Sequence, residues 1–184
     1  FHSGFDFGHL KMNLESTAYF ADGTFDINDK TRVSLGVRRT TDEFTNKQDN
    51  SVFMIIPGVG KMIAAQTCQR ETTNEYNSTT SRAVVQHDLS DDSNLYVSFS
   101  EGFKAGGYAT YECAPPYAPE EVTSFEFGFK GTVSDNTTLN MSMFRYDYSD
   151  FQVLQVIGIQ TVTKNAGDAT VNGLELEGLS LIND

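Results

Sequence analysis

The chain has 184 residues, 39% of them hydrophobic and 12% aromatic, with no Trp, 15 Gly and a formal net charge of -12. That length suffices for one domain with a real core, and the acidity argues against nucleic acid as a partner, because phosphate binding needs a basic footprint. No apolar run reaches the roughly 20 residues of a membrane-spanning helix, but barrel strands hide their apolarity in alternation, so a membrane barrel stays open.

In chain order, the first predicted strand covers about 14–27, with Tyr19, Ala21, Phe25 and Ile27 on one parity. Asn28-Asp29-Lys30 makes a tight turn, and a second strand follows from Arg32 with Val33, Leu35 and Val37 opposed to Ser34, Gly36 and Arg38. The stretch 43–81 is rich in Thr, Asn, Gln and Ser and reads as one long connection. A third strand, 82–89, passes through the turn at Asp91-Asp92 into a fourth, 95–103, with Leu95, Val97 and Phe99 on one parity. A second long connection, 105–119, holds Gly106-Gly107, Tyr108, Tyr111, Cys113 and Pro115-Pro116.

The fifth strand has the strongest period. Phe125, Phe127 and Phe129 share one face, and Ser124, Glu126, Gly128 and Lys130 share the other. After a turn at Asp135-Asn136 the sixth strand places Leu139, Met141 and Met143 on one parity and then Phe144, Tyr146 and Tyr148 on the other. That phase change predicts a bulge or aromatics turned inward. A loop at 157–160 precedes a seventh strand, 161–181, in which Gly173 marks a second expected irregularity.

Short turns near 28, 91, 136 and 183 alternate with longer connections near 60, 110 and 158. Outer-membrane barrels sort their connections in this way, with short periplasmic turns and longer outer loops. The expected fold is therefore all-β, an antiparallel transmembrane β-barrel segment of about seven strands. The chain starts at Phe1 without Met and stops within an apparent turn, so a piece of a longer protein is expected.

Candidate chemistry is sparse. His2, His9 and His87 have no Ser or Cys partner in a nucleophile motif, so no catalytic residue is assigned. Gly58-Val59-Gly60-Lys61 lacks the spacing and following helix of a phosphate loop and reads as a loop tip. Asp91, Asp92, Glu175 and Glu177 offer oxygen ligands for calcium, yet a solvated turn and a wet lumen wall explain them; no metal or cofactor is expected. Cys68 and Cys113 fit no zinc spacing. They are two thiols in a reducing cytosol and a candidate disulfide between two loops in an oxidising envelope. Phe103, Lys104, Tyr108 and Tyr111 stand at or beyond the outer end of a strand, where rings and a cation suit an anionic chelate. The aromatic girdle at a membrane interface is the preferred account of Phe103 and Tyr108, and Tyr111, within the loop itself, is the foremost ligand candidate of the four.

Three segments together resemble the barrel of TonB-dependent outer-membrane receptors. Leu95-Tyr96-Val97-Ser98-Phe99-Ser100-Glu101-Gly102-Phe103-Lys104-Ala105-Gly106-Gly107-Tyr108 is similar to the family's strand-to-loop motif, with Glu101 where a basic residue is common. Pro119-Glu120 with Glu126, Gly128 and Lys130 is similar to its Pro-Glu strand, and Asn165-Ala166-Gly167 with Gly173-Leu174-Glu175 follows Tyr146-Asp147-Tyr148 in the family order. The likeness covers 19–184, with 45–80 unmatched.

The resemblance implies that the whole of 1–184 is part of one barrel domain of about 22 strands closed by a plug; the plug and the C-terminal strands lie outside these residues. It implies a place in the bacterial outer membrane, in contact with its lipid. It implies uptake of a scarce nutrient such as a ferric siderophore, driven by the TonB complex through an N-terminal region this chain does not contain. It implies no enzyme activity. The competing readings are a soluble secreted β-sandwich or adhesin module whose Phe parity forms an ordinary core, and a porin without TonB coupling.

Overall fold

A computed structural model of the chain describes residues 2–108, 115–157 and 160–181, all of them strand, turn or irregular structure. The strands are β1 (His2–Asn28), β2 (Thr31–Ile56), β3 (Gly60–Ser90), β4 (Ser93–Lys104), β5 (Glu120–Ser134), β6 (Thr137–Ser149), β7 (Gln152–Ile157), β8 (Gln160–Asn165) and β9 (Ala169–Ser180). Seven of them form one antiparallel sheet in the order β1-β2-β3-β4-β5-β6-β9, and β7 and β8 pair with each other as a separate ribbon. Two-residue turns at Asp29-Lys30, Asp91-Asp92 and Asp135-Asn136 close one end of the sheet. At the first of these the Lys30 amide donates to Asn28 Oδ1 at 2.9 Å, the local bond that favours Asn in turns.

The stretch 43–81 is not a loop. β2 continues to Ile56 and β3 starts at Gly60, and the two stay paired up to a tip at 57–59. Gly58 and Gly60 there have φ of 82° and 98°. Hydropathy hid the lower part of the hairpin, 43–50 and 68–81, because its residues are almost all polar and give no apolar alternation. Its pairing rests on polar cross-strand contacts instead: Thr45 with Thr73 at 3.0 Å, Lys47 with Glu71 at 3.1 Å, and Thr41 donating to Asn77 at 2.8 Å. β1 starts at His2 and not near 14, pairing with β2 along almost its whole length. The expected strand 161–181 is two strands, β8 and β9, separated by 166–168.

Register lines up the faces. Phe25, Val33, Val85, Val97, Phe127, Met143 and Leu174 form one continuous row across all seven strands. Phe25, Val97 and Leu174 are 57%, 52% and 68% exposed. A soluble sandwich would bury this row, since each large apolar side chain is worth about 1.5 to 3 kcal/mol on burial. Among the described residues only Cys68, Tyr108 and Val162 are buried hydrophobics, and none lies in the row. The row is a lipid face, and the sandwich reading fails.

The opposite parity is polar. Its rows run Thr24, Ser34, Val84, Ser98, Glu126, Phe144, Gly173 and Asp26, Arg32, Gln86, Tyr96, Gly128, Ser142, Glu175. The phase change in β6 is no bulge, because the register on both sides is continuous through Met143 and Phe144. Phe144 and Tyr146 are aromatics turned to the polar face, stacked at 4.8 Å. Nor is Gly173 an irregularity. It pairs directly with Phe144, whose ring lies where a Cβ would be.

The apolar face ends in polar residues toward the long-loop end. In the row Leu35, Ala83, Phe99, Phe125, Arg145, Asn172 the change comes at β6. Arg145 Nε and Nη2 donate to Asp147 at 2.7 and 2.8 Å, and Thr170 donates to the same carboxylate at 2.8 Å.

Candidate functional site at the outer loops

Three connections meet at the outer end of the sheet: the β2–β3 hairpin, the β4–β5 connection and the β7–β8 ribbon. β4 delivers Phe103 on the lipid parity and Lys104 on the lumen parity, opposite Glu121 and Glu120 of β5. Lys104 is exposed and Phe103 half-buried.

Beyond Lys104 the chain turns onto the lumen side of the hairpin. Gly107 and Tyr117 exchange backbone hydrogen bonds of 3.2 and 2.8 Å. Tyr108 is 4% exposed, with its ring 5.9 Å from that of Phe44 on β2. It packs against the lumen-parity face of the hairpin and not toward lipid. Gly106 lies so close to the Tyr76 ring and the Tyr117 carbonyl that any Cβ would collide with both. Burial, and then the neighbouring Tyr76, push the Tyr117 phenol above its ordinary pKa. Tyr111 lies outside the described residues. Cys68 on β3 is buried and disulfide-bonded; Cys113, the chain's other cysteine, also lies outside them.

The feet of the connection are bound to the ribbon by Gln152 and by Asn165 of the Asn165-Ala166-Gly167 motif. Gln152 is buried, and its Nε2 donates to Ala105 O at 3.1 Å and Ala118 O at 3.0 Å. Its own amide donates to Glu120 Oε2 at 2.6 Å. Asn165 accepts from the Ala118 amide at 2.7 Å and donates to Ala118 O and Asp150 O. The Pro119-Glu120 and Asn165-Ala166-Gly167 motifs thus come together in space. Their separation by 47 residues within one network was the signal that sequence alone did not connect.

The lumen face carries a second polar group below the loops. Tyr96 donates to Glu126 at 2.5 Å, and Lys130 Nζ stands 5.3 Å from the Tyr96 ring centroid. Glu175 and Glu177 line the same recess with Asn140. Asp91 and Asp92 lie in a turn at the opposite end of the sheet. No group of three or more His, Cys, Asp or Glu among the described residues is placed to hold a metal ion.

A seven-stranded antiparallel wall with a lipid face, a polar face, tight turns at one end and gathered loops at the other defines a segment of an outer-membrane β-barrel. Residues 8–183 match the model of the TonB dependent receptor-like β-barrel family, and the chain belongs to that family. The pesticin receptor of Yersinia enterocolitica is 25% identical over 168 residues, which are 89% of this chain and 23% of that protein. The crystal structure of the ferric yersiniabactin uptake receptor FyuA from Yersinia pestis superposes with a TM-score of 0.72 at 22% identity, covering 92% of this chain and 24% of the other. The ferric-catecholate import receptor Fiu from K12 E. coli gives 0.68 at 16% identity, covering 95% and 26%. The structural likenesses speak for the fold, and the chain spans about a quarter of the length of these relatives.

Proposed function

We propose that the chain is barrel wall from a receptor that imports a scarce nutrient across the bacterial outer membrane, with a ferric siderophore or similar iron complex as cargo and the TonB complex as its energy source. The observation that carries this reading is the 25% identity to the pesticin receptor across 89% of the chain. The solved relatives named for ferric yersiniabactin and ferric catecholate support iron chelates as the cargo class. The chemistry is binding and gated passage, with no covalent step and no enzyme activity. Plug, remaining strands and the TonB-contacting segment come from parts of the parent protein beyond these residues, and 1–184 belongs to a single barrel domain.

Within that reading, Lys104 and Tyr111 take the anionic cargo at the outer loops, Phe103 packs at the membrane boundary, and Tyr108 keeps the connection in place. Cys68 is bridged to Cys113, tying the β4–β5 connection to β3. Uptake of radioactive iron from ferric siderophores is the test, in cells lacking their own siderophore receptors and carrying the complete protein. Accumulation that vanishes when TonB is removed supports the proposal. Uptake indifferent to TonB would favour a porin, and no uptake from either catecholate or yersiniabactin-type chelates would remove iron chelates as cargo.

A further inference from the structure

Loops on a barrel rim ordinarily hang from their own pair of strands, and nothing obliges one to follow another. Here the β4–β5 connection and the β7–β8 ribbon share their foundations. The Nε2 of Gln152 spans both feet of the connection, at Ala105 and Ala118, while Gln152 itself is the first residue of the ribbon. Asn165, the last residue of the ribbon, takes both the amide and the carbonyl of Ala118 and also reaches Asp150 O at 2.7 Å.

The chemistry fixes both amide orientations. Each Gln152 side-chain contact is a carbonyl oxygen, which only the NH2 end can satisfy. Asn165 uses its oxygen on an N–H and its nitrogen on two carbonyls. The ribbon's base is further closed by Phe151 N to Gly167 O and Ala166 N to Phe151 O, both 2.8 Å. Asp150 and Gly167 occupy left-handed backbone there, with φ of 53° and 104°. A non-glycine residue in that region is uncommon and needs its surroundings to hold it; the Asn165 bond to the Asp150 carbonyl supplies such a hold.

We propose that Gln152 and Asn165 are positioning residues that join the β4–β5 connection and the β7–β8 ribbon into one mechanical unit at the outer rim, so that displacing either displaces the other. The unit exists without cargo and is independent of what the receptor imports. Gly107 and Tyr117, whose amides bond to each other's carbonyls just beyond the feet at Ala105 and Ala118, report on it from inside the connection.

Hydrogen exchange measured by mass spectrometry on the complete receptor in detergent tests the coupling. Gln152→Ala should raise exchange by about tenfold or more in peptides containing Gly107 and Tyr117, from two lost bonds of about 1 kcal/mol each. Asn165→Ala, made at the far foot of the ribbon, should raise exchange in those same peptides. Asn165→Asp keeps the acceptor for the Ala118 amide and loses the two donors, and should fall between wild type and Asn165→Ala. Gln155→Ala, an exposed position on the ribbon, should leave the connection at wild-type exchange. The proposal is overturned if Gly107 and Tyr117 peptides keep wild-type exchange in both alanine variants. It is equally overturned if exchange rises by the same factor throughout β4, β5 and β6, which would be loss of the wall and not release of a joint.

Discussion

Arg82 of β3 reaches across β2 to Asp22 of β1, with Nε and Nη2 each 2.7 Å from a carboxylate oxygen. Gly36, between them in register, makes the reach possible, since a Cβ there would stand 2.5 Å from Asp22 Oδ2. Gly36→Val should therefore cost about 1 to 3 kcal/mol, in the range of other forced intrusions into packed sites. Asp22→Asn should cost under about 1 kcal/mol, because both side chains are partly exposed and solvent screens the pair. The temperature at which the barrel loses its folded mobility on gels separates the two; equal shifts would mean that Gly36 has no special place.

Phe127 and Glu126 are neighbours on opposite faces, which makes them a test of sidedness. Phe127→Asp should sharply reduce the folded receptor recovered from outer membranes, from lost apolar burial of about 2 kcal/mol and from a charge facing lipid. Glu126→Gln leaves a polar group in the lumen and should assemble near wild-type yield. Similar yields for the two variants would reverse the assignment of faces.

Gly173 and Phe144 should behave as a coupled pair. Gly173→Ala alone forces the Phe144 ring aside and is expected to destabilise by about 1 to 3 kcal/mol. In a Phe144→Ala background the same change should become neutral or slightly favourable, because alanine suits a strand better than glycine. A double-mutant cycle on unfolding in urea gives the coupling, expected between about 0.5 and 3 kcal/mol. A coupling near zero would show that ring and glycine do not depend on each other.

The proposed Cys68–Cys113 bridge predicts a division between loops and wall. Reduction, or Cys68→Ser, should speed protease cutting of the outer loops on intact cells while the barrel stays folded on gels. The bridge is expected to be worth about 2 to 4 kcal/mol to the loops alone. Unchanged protease sensitivity after reduction would leave the disulfide without a part in holding them.

What the sequence made legible was the part that meets lipid. Phe125, Phe127 and Phe129 declare their face by period alone, because in that zone water is excluded from one parity and admitted to the other. The polar turns at Asp29, Asp91 and Asp135 are legible for a related reason, since few residue types satisfy a two-residue turn. Above the membrane both constraints lapse. Phe44, Asn46 and Gln48 continue the lumen parity of β2 with no apolar alternation to announce it, and a strand of Thr, Asn and Gln looks like a loop until its partner is known. Gln152 and Asn165 were hidden more deeply. Their partners are backbone atoms of another connection, and no side-chain pattern encodes a carbonyl.

The Arg145–Asp147 pair on the lipid parity gives the wall its own waterline. Between β5 and β6 the polar limit drops by at least one row, which is about 6 to 7 Å along a strand. The hydrocarbon edge therefore meets this wall on a slant, lower where β6 and β9 pass than where β3 and β4 do. Four side chains draw that line on this stretch of wall: Arg145, Asp147, Thr170 and Asn172.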